Sequence, residues 1–517
     1  MFANPSTQAY SGQSSDSSLA VERPDISSPV GSRAAYGALW AVLGAALNKV
    51  ITFGSQIVLA WFLVPEQFGL AAMALSVMSV TSIFGGATLR AILIQRSDRF
   101  EEVAGQVFWM GLGLNLVTAL LLVAAAPLGA LVFSDPRVAI LILVAAVAPP
   151  IQSLSIVHAA LLNRRLRFGE LATVQFCGGL GQNLSAMLLA ACGAGALALI
   201  LPLIVNAIIA GMLYRRGAGR ISVGRPRPRS WGELQGPVVW LMANTLGTAL
   251  QTSGPNFALG LIERDATITG LYYWGFSFAS QAIFLLGTNL QYVFFPALRK
   301  LNAEPARQAL ALERAGRTLM IVVVPIILLQ ALLAPAFIQL VFDKRWLPAV
   351  PVVQWISLGL ITQPVGLLTM SILLARGEFR RLAWFSGTLA LCLTAAAVIG
   401  AALGNHVETS FAIGVTLFVG NLAAGTMLFG TVQAGARFLW KTALIPLAFG
   451  APVGCFGWWL VRLTEARGPW VQMAVVTSVT LASYLGLVRL LQPTMIEDIL
   501  LRLRRQAAPE KPAIPGG

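Results

Sequence analysis

The chain has 517 residues, of which 57% are hydrophobic and 11% are charged, and its mean hydropathy is +0.75. Soluble domains carry roughly 25% charged residues, so this composition excludes an ordinary soluble protein and indicates many membrane-spanning helices. The formal net charge of +15 sits mainly in loops between apolar runs, which favours membrane topology and attraction to anionic membrane lipid over nucleic acid binding.

The chain opens with a polar segment, residues 1–36, that is rich in Ser, Pro and Gly and has no apolar stretch typical of a signal peptide. We predict a disordered cytosolic tail there, and a second cytosolic tail over 493–517. The four cysteines lie in or beside apolar runs without ligand spacing, and the two histidines are far apart. We therefore expect no metal site and no cofactor.

About fourteen apolar segments follow the first tail, each long enough to cross about 30 Å of hydrocarbon. They are 37–62, 67–90, 104–132, 138–163, 170–192, 194–214, 236–261, 268–296, 317–340, 347–374, 382–404, 409–434, 437–461 and 468–491. The predicted fold is an all-α integral membrane protein with two six-helix lobes related by pseudo-two-fold symmetry, plus two C-terminal helices. The predicted units are an N-terminal lobe over 37–214, a basic cytosolic linker over 215–235, a C-terminal lobe over 236–434 and two extra helices over 435–492.

The basic residues test this topology independently, because Lys and Arg gather on the cytoplasmic side of membrane proteins. With fourteen spans, 29 of the 36 basic residues fall on one side and six on the other, and Lys49 alone lies inside a span. This asymmetry predicts that both termini are cytosolic.

Two short motifs recur at nearly the same interval and indicate the lobe repeat. The pattern R-x-x-F-x-x-L-A occupies Arg165, Phe168, Leu171 and Ala172, and then Arg376, Phe379, Leu382 and Ala383. A second pair, APLGALVF (126–133) and APAFIQLVF (334–342), precedes them in the same order. An interval of six spans places both copies on one face, which predicts two parallel lobes. Such lobes can enclose a central cavity or meet along a dry seam.

Lys49 is the most unusual residue of the spans. It lies about twelve residues into the first segment, on the order of 18 Å along a helix and close to mid-membrane. A lysine there costs about 2.5 to 3.5 kcal/mol on insertion scales and is expected to face a cavity, a partner or a ligand. We consider it a substrate-contacting cation, with a snorkelling or structural role as the alternative. Asn48 and Gln56 are its polar neighbours.

The acidic residues are notable for their positions, since all 21 Asp and Glu fall in tails, loops or span ends. One lysine, no mid-span acid and many amides suit an anionic, sugar-like ligand better than a cation. Each amide has interhelical hydrogen bonding as its alternative role. These amides are Asn115, Gln152, Gln182, Asn183, Asn244, Gln251, Asn256, Gln281, Asn289, Gln354 and Gln363. Arg90 and Arg299 end equivalent spans of the two lobes and are candidates for the cytoplasmic mouth, with lipid anchoring as the alternative.

Four segments carry a resemblance to a known family: WFLVPEQFGLAAMA (61–74), AILIQRSDRFEEVAGQVFW (91–109), LLNRRLRFGELA (161–172) and YVFFPALRKL (292–301). They resemble the Wzx-type polysaccharide transporter family, within the superfamily of multidrug, oligosaccharidyl-lipid and polysaccharide flippases. The resemblance covers about residues 37–490. It implies a cationic central cavity, and Lys49 matches the basic residue that such flippases carry in the first span. Where relatives carry further cavity arginines, this chain has Gln56 and Gln251.

The resemblance implies a flippase without chemical catalysis, which moves a polyprenyl-diphosphate-linked oligosaccharide from the inner to the outer leaflet for export of exopolysaccharide, capsule or lipopolysaccharide. The implied partners are the lipid-linked oligosaccharide, anionic membrane lipid, and a polysaccharide polymerase with its export machinery. The implied location is the cytoplasmic, or inner, membrane. One alternative is a multidrug or cation antiporter of the same superfamily, which predicts a carboxylate in a span. The other is a membrane glycosyltransferase or polymerase, which predicts an acidic motif or a large outer loop.

Overall fold

The computed structural model describes residues 29–81, 100–165, 167–219, 236–300, 305–428 and 438–491. Within these ranges the chain is helical and has no strand. The predicted tails and the linker fall mostly outside the ranges. Every apolar segment predicted from the sequence coincides, over its described part, with one helix or with a run of short consecutive helices.

The described residues of the first half of the chain form eight helices. They are α1 (Pro29–Phe62), α2 (Pro65–Thr81), α3 (Phe100–Val132), α4 (Pro136–Ala145), α5 (Ala148–Ser153), α6 (Ile156–Arg164), α7 (Phe168–Ala191) and α8 (Leu197–Ala218). Helices α4 to α6 follow one another as a single interrupted span. Asp135 caps α4 by accepting a hydrogen bond from the Arg137 backbone N–H, and Pro136 occupies the first helical position, where no backbone donor is needed.

The described residues of the second half form nine more helices, two 3₁₀ turns and one π turn. They are α9 (Gly236–Glu263), α10 (Ala266–Lys300), α11 (Pro305–Val341), a 3₁₀ turn (Lys344–Ala349), α12 (Val350–Leu360), α13 (Gln363–Ala375), α14 (Phe379–Leu403), α15 (His406–Thr426), a π turn (Trp440–Leu444), α16 (Ile445–Thr464), a 3₁₀ turn (Glu465–Arg467) and α17 (Pro469–Leu491). The Asn405 side chain and Glu408 form a capping box at the start of α15, which satisfies backbone donors there.

Nine helices or interrupted runs in the described residues are long and apolar enough to cross a membrane, and a pair bent by 48°, Lys344–Leu360 with Gln363–Ala375, makes a tenth. The predicted count of fourteen is therefore not confirmed. Helices α7, α9 and α10 coincide with predicted segments but are less apolar, since they carry many Gly, Ser, Asn and Gln residues. Polar positions of this kind face the interior of a helix bundle or a cavity, away from lipid.

Both copies of the repeated motif occupy equivalent turns. Phe168 begins α7 and Phe379 begins α14, and each helix carries an Arg–Glu ion pair across its first turn. Helix α1 packs along α7 as α9 packs along α14, and α7 contacts α8 as α14 contacts α15. The same helix pairs thus form twice, as two related lobes require.

Small residues allow the closest helix contacts. Gly247 of α9 lies against the Ser386 and Gly387 backbone of α14, where an added Cβ would be 2.8 Å from backbone atoms. In the two extra helices, Gly450, Gly454 and Gly457 of α16 face leucine and valine side chains of α11. Without a hydrophobic driving force between helices in lipid, such close packing holds them together.

The lobes also contact each other, most extensively where α2 packs against α10 and α9. Gly69 and Gly270 lie at this crossing, so close that a Cβ on Gly270 would be 1.8 Å from the Pro65 carbonyl oxygen. Trp346 of the 3₁₀ turn stacks near Trp274, with ring centroids 4.6 Å apart, and meets Phe68 edge-on at 5.3 Å. We call this closed end of the bundle the outer end, because the basic residues predict that it faces away from the cytosol.

Candidate functional site

Lys49 lines an apolar groove between the lobes, which we call the Lys49 groove. Its volume is about 390 Å³, and its walls come from α1, α10, α11 and α17. Lys49 is half-buried there. The groove is lined by Lys49, Val50, Phe53, Phe278, Gln281, Ala282, Ile326, Leu329, Gln330, Leu333, Ala334, Phe337 and Met473. A cation therefore stands in a mainly apolar wall that also holds two amides, Gln281 and Gln330, an arrangement that suits an amphiphile with an anionic group.

Aromatic side chains join the lobes along this groove. Phe53 of α1 packs on Phe278 of α10 with ring centroids 5.5 Å apart, and Phe278 packs on Phe337 of α11 at 5.6 Å. Gln330 is held by hydrogen bonds from its Nε2 to the Ala279 carbonyl at 3.0 Å and the Phe278 carbonyl at 3.5 Å. The groove thus has a fixed aromatic wall and an anchored amide close to the lysine.

Asn48 faces a different space, which we call the amide pocket. It lies inside the N-terminal lobe between α1, α7 and α8, has a volume of about 470 Å³ and is lined mainly by polar side chains. The Asn206 amide donates to Gln182 Oε1 at 2.9 Å, and the Asn183 amide donates to Thr52 Oγ1 at 3.3 Å. The Asn48 Oδ1 atom is buried and has no hydrogen-bond partner among the described residues.

Two glycines of α7 create the room for these amides. A Cβ on Gly178 would lie 2.5 Å from Asn206 Oδ1, and a Cβ on Gly179 would lie 2.4 Å from the Asn48 amide. Adjacent positions on a helix differ by about 100° in direction, so Lys49 and Asn48 address two separate spaces. Amide oxygens and N–H groups in the pocket can accept from and donate to sugar hydroxyls or water.

The other sequence-predicted residues have mixed placements. Gln56 is partly buried, and its Oε1 has no partner among the described residues. Gln251 donates to the Ser386 carbonyl at 3.0 Å and so joins α9 to α14, while Asn256 is buried and donates to the Thr252 carbonyl of its own helix. Arg90 lies outside the described residues, and so does the side chain of Arg299, whose backbone is in the last turn of α10.

The outer end carries a set of contacts that the sequence did not indicate, which we call the outer latch. The Trp346 indole donates to the Ala60 carbonyl at 2.9 Å, and Arg345 donates to the Trp61 carbonyl at 2.8 Å and to the Ala60 carbonyl at 3.3 Å. The Trp61 indole donates in return to the Val341 carbonyl at 2.9 Å. Because the last carbonyls of a helix have no partner within it, Arg345 and Trp346 cap α1 and tie it to the second lobe.

An ion cluster fixes the corresponding turn of the first lobe. Arg137 contacts Asp135 at 2.7 Å and reaches Glu66, at the start of α2, at 2.6 Å. The hydrogen bonds from the Arg137 side chain hold the pKa of the Asp135 carboxyl below its usual range. Arg345 pairs in the same way with Asp343, two residues before it, at 3.1 Å. The two turns are therefore related, but only the second reaches across to the other lobe.

Metal binding has no candidate in the described part of the chain, where no group of three or more His, Cys, Asp or Glu side chains is close enough to hold a metal ion. The cations of the site are Lys49 in the groove and Arg345 at the outer latch. Lys49 stands in the groove wall, and Arg345 binds the carbonyls of α1. The groove can bind an amphiphile with an anionic group.

Comparisons with known proteins relate the chain to proteins of polysaccharide biosynthesis and transport. A family model described as polysaccharide biosynthesis protein matches residues 58–351. The succinoglycan biosynthesis transport protein ExoT of Rhizobium meliloti (strain 1021) is 29% identical over 388 residues, covering 71% of this chain and 74% of that protein. The lipopolysaccharide biosynthesis protein WzxC of Escherichia coli (strain K12) is 22% identical over 390 residues, covering 74% and 76%.

Among solved structures, the fold is similar to that of the lipid II flippase MurJ in an inward closed conformation. The TM-score is 0.69 at 12% sequence identity, and the likeness covers 89% of this chain and 100% of that one. At this identity the likeness concerns the fold alone. It confirms the predicted all-α membrane fold.

Proposed function

Because the chain belongs to the polysaccharide biosynthesis protein family, we propose that it is a flippase for a polyprenyl-diphosphate-linked oligosaccharide. The family membership confirms the resemblance predicted from the sequence. The protein carries its substrate from the inner to the outer leaflet of the cytoplasmic membrane, for export of exopolysaccharide, capsule or lipopolysaccharide. It works by alternating access, as a transporter and not as an enzyme, with both termini in the cytosol.

The observation that carries this proposal is the position of Lys49 in the wall of an apolar groove. A lipid-linked diphosphate presents a double anion next to a hydrocarbon chain, so a cation flanked by apolar surface matches it. Charge-assisted contacts of this kind are strong where water is excluded. Phe53, Phe278 and Phe337 supply surface for the hydrocarbon, and Gln281 and Gln330 offer amides beside the cation.

The amide pocket supports a role in handling the sugar. It adjoins the same stretch of α1, since Asn48 precedes Lys49 directly, and it is polar where the groove is apolar. The helix thus separates a polar space, which Asn48 lines, from an apolar one, which Lys49 lines. In this proposal the sugar hydroxyls exchange hydrogen bonds with the amides while the tail stays on the lipid side.

The outer latch supports an alternating-access cycle. The structure is closed at the outer end, where Trp346 and Arg345 bind the end of α1. In this state a substrate enters from the opposite, cytosolic end. Transport to the outer leaflet requires these contacts to break and the lobes to rock apart there, and Arg90 and Arg299 are proposed to guide the anionic head at the cytosolic mouth.

The membrane potential can drive the step. Each negative charge moved outward gains about 2.3 kcal/mol per 100 mV, so a head with about two charges gains several kcal/mol. A proton-carrying acid inside the bundle is then unnecessary, in keeping with the positions of the acidic residues along the chain. Transport into sealed vesicles at imposed potentials tests whether the membrane potential drives the step. Equal rates with and without a potential would show that it does not.

The decisive experiment is complementation of a flippase-deficient, polymer-producing host at matched expression. Wild type and Lys49→Arg are expected to restore polymer, and Lys49→Ala is expected to fail. Lys344→Ala, which removes a lysine from the outer turn, is the matched control and is expected to restore polymer. If Lys49→Ala works as well as wild type, Lys49 is structural. The enzyme alternative places its chemistry in the acidic turn between α9 and α10, which contains Asp265. If Asp265→Asn abolishes function while Lys49→Ala spares it, that alternative is favoured.

A further inference from the structure

A second apolar groove lies between α2, α9 and α14. We call it the Trp240 groove. Its volume is about 590 Å³, and its lining shares no residue with the Lys49 groove. Leu246, Leu250 and Phe257 of α9 form one wall, Leu391 of α14 forms the other, and Ser76 of α2 closes it from the first lobe.

The groove exists because α9 and α14 touch through small residues. Gly247 abuts the Ser386 backbone, and Gly254 faces Thr394, where an added Cβ would be 2.3 Å from the threonine Oγ1. The close backbone approach leaves a channel beside the contact line. Gly387 borders this channel, and a Cβ there would meet nothing within 4 Å. The channel is thus open space, not a gap between interlocked side chains.

One mouth of the groove carries the features of a membrane interface. Trp240 and Trp384 are 37% and 61% exposed, and the guanidinium of Arg380 lies 5.6 Å from the centre of the Trp240 ring. Tryptophans concentrate where hydrocarbon meets headgroups, and arginines near them attract anionic lipid. Arg381, the next residue, is instead ion-paired with Glu378 at 2.7 Å. Arg380 therefore supplies the positive charge directly above the groove.

The wall of the groove on α14 matches the depth of one leaflet. It runs from Ala383 to Thr394, eleven helical steps or about 16 Å, whereas the α9 wall runs from Trp240 to Phe257, seventeen steps or about 25 Å. Half of a hydrocarbon core of about 30 Å is about 15 Å. Both helices begin at the end that the basic residues predict to be cytosolic, so the part of the groove with two walls runs from near the inner surface to about mid-membrane, and the α9 wall continues beyond it.

We propose that the Trp240 groove binds one anionic phospholipid of the inner leaflet, with an acyl chain along α9 and α14 and the phosphate beside Arg380. The lipid also contacts Ser76 of the first lobe, so it bridges the lobes at a place that shares no lining residue with the Lys49 groove. This site is independent of the substrate that the protein carries. Its chemistry is that of a single negative headgroup on a chain of one-leaflet depth.

The test uses the purified full-length protein in detergent, native mass spectrometry and two added lipids of equal chain length, phosphatidylglycerol and phosphatidylcholine. Wild type is expected to retain one phosphatidylglycerol in preference to phosphatidylcholine. Arg380→Gln is expected to lower that preference about fivefold, the effect of one basic residue at a membrane surface. Gly387→Leu, which fills the open channel, is expected to lower the binding of both lipids.

Arg381→Gln is the matched control, since it removes the same charge one residue away from an arginine that is already paired. It is expected to bind lipid as wild type does. Equal losses in Arg380→Gln and Arg381→Gln would show a diffuse surface charge and overturn the proposal. So would equal retention of the two lipids by wild type, or displacement of phosphatidylglycerol by an equimolar polyprenyl phosphate, which would make this a substrate site.

Discussion

Replacing Gly270 with alanine tests whether the closed outer end is one state of a transport cycle. The new Cβ would lie 1.8 Å from the Pro65 carbonyl oxygen and 2.8 Å from the Gly69 nitrogen. Carbon and oxygen atoms in contact stand about 3.5 Å apart, so α10 must retreat from α2 by about 1.5 Å. Backbone atoms cannot rotate away as a side chain can. The substitution must therefore separate α2 from α10 at the outer end or strain their backbones.

The size of the effect follows from overpacking, which costs about 1 to 3 kcal/mol in a well-packed interior. Only the outer-closed state bears this cost, since the two helices separate when that end opens. The ratio of closed to open molecules is therefore expected to fall by roughly fivefold to a hundredfold or slightly more.

Distances measured by double electron–electron resonance report the ratio of closed to open molecules directly. Spin labels on the native, exposed Cys192 and on Leu403→Cys sit at the outer ends of the two lobes, after the other three cysteines are changed to serine. Gly270→Ala is expected to add a longer-distance population. Gly211→Ala, whose Cβ meets nothing within 4 Å, is the control and is expected to leave the distances unchanged. An unchanged distribution in a folded Gly270→Ala protein would refute the reasoning.

Three further outcomes are expected. Trp346→Phe keeps an aromatic side chain but makes it smaller and removes the hydrogen bond to the Ala60 carbonyl, worth about 1 kcal/mol. The same spin-label pair should therefore show at least about fivefold more open molecules, and an unaltered ratio would contradict the outer latch. Asn206→Leu removes the amide that donates to Gln182 in the amide pocket. Transport of a lipid-linked sugar should therefore slow, while binding of a sugar-free polyprenyl diphosphate should persist. Equal loss of transport and binding would mean a structural defect. Asp135→Asn should lower the free energy of unfolding by about 0.2 to 1 kcal/mol at pH 7, because a carboxyl with a lowered pKa stabilises the fold above its unfolded pKa of about 3.9. The difference in unfolding free energy from wild type should shrink as the pH falls through the lowered pKa. A difference that grows on acidification would contradict the ion cluster.

The fold was largely predictable because apolar length and the positions of basic residues are direct physical requirements of a bilayer. The repeated motifs identified equivalent turns, and Phe168 and Phe379 do begin equivalent helices. The number of spans was less predictable, since helices such as α9 and α10 mix apolar residues with amides and glycines.

The site was only partly predictable. Lys49 stood out by its charge, but the sequence did not show that Asn48 faces another space, because the direction of a helix face depends on its neighbours. Gln251 was a candidate cavity residue with interhelical hydrogen bonding as its alternative role, and its amide donates to the Ser386 carbonyl, which joins α9 to α14. Arg345 and Trp346 were missed because they bind backbone carbonyls, which leave no mark in a sequence. Aligning VFSDPR (132–137) with VFDKRW (341–346) offers the one available signal, an Asp followed two residues later by Arg.

The Lys49 groove is assembled from helices that are synthesised far apart in time. Its walls include Met473 of α17, 424 positions after Lys49 in the chain. During insertion into the membrane, Lys49 therefore lacks part of its native surroundings until α17 is inserted and packs on α11. A ribosome that stalls before α17 would leave a charged helix open to lipid, a surface that membrane quality-control proteases can recognise. Biogenesis, and not only transport, is thus expected to depend on the two extra helices.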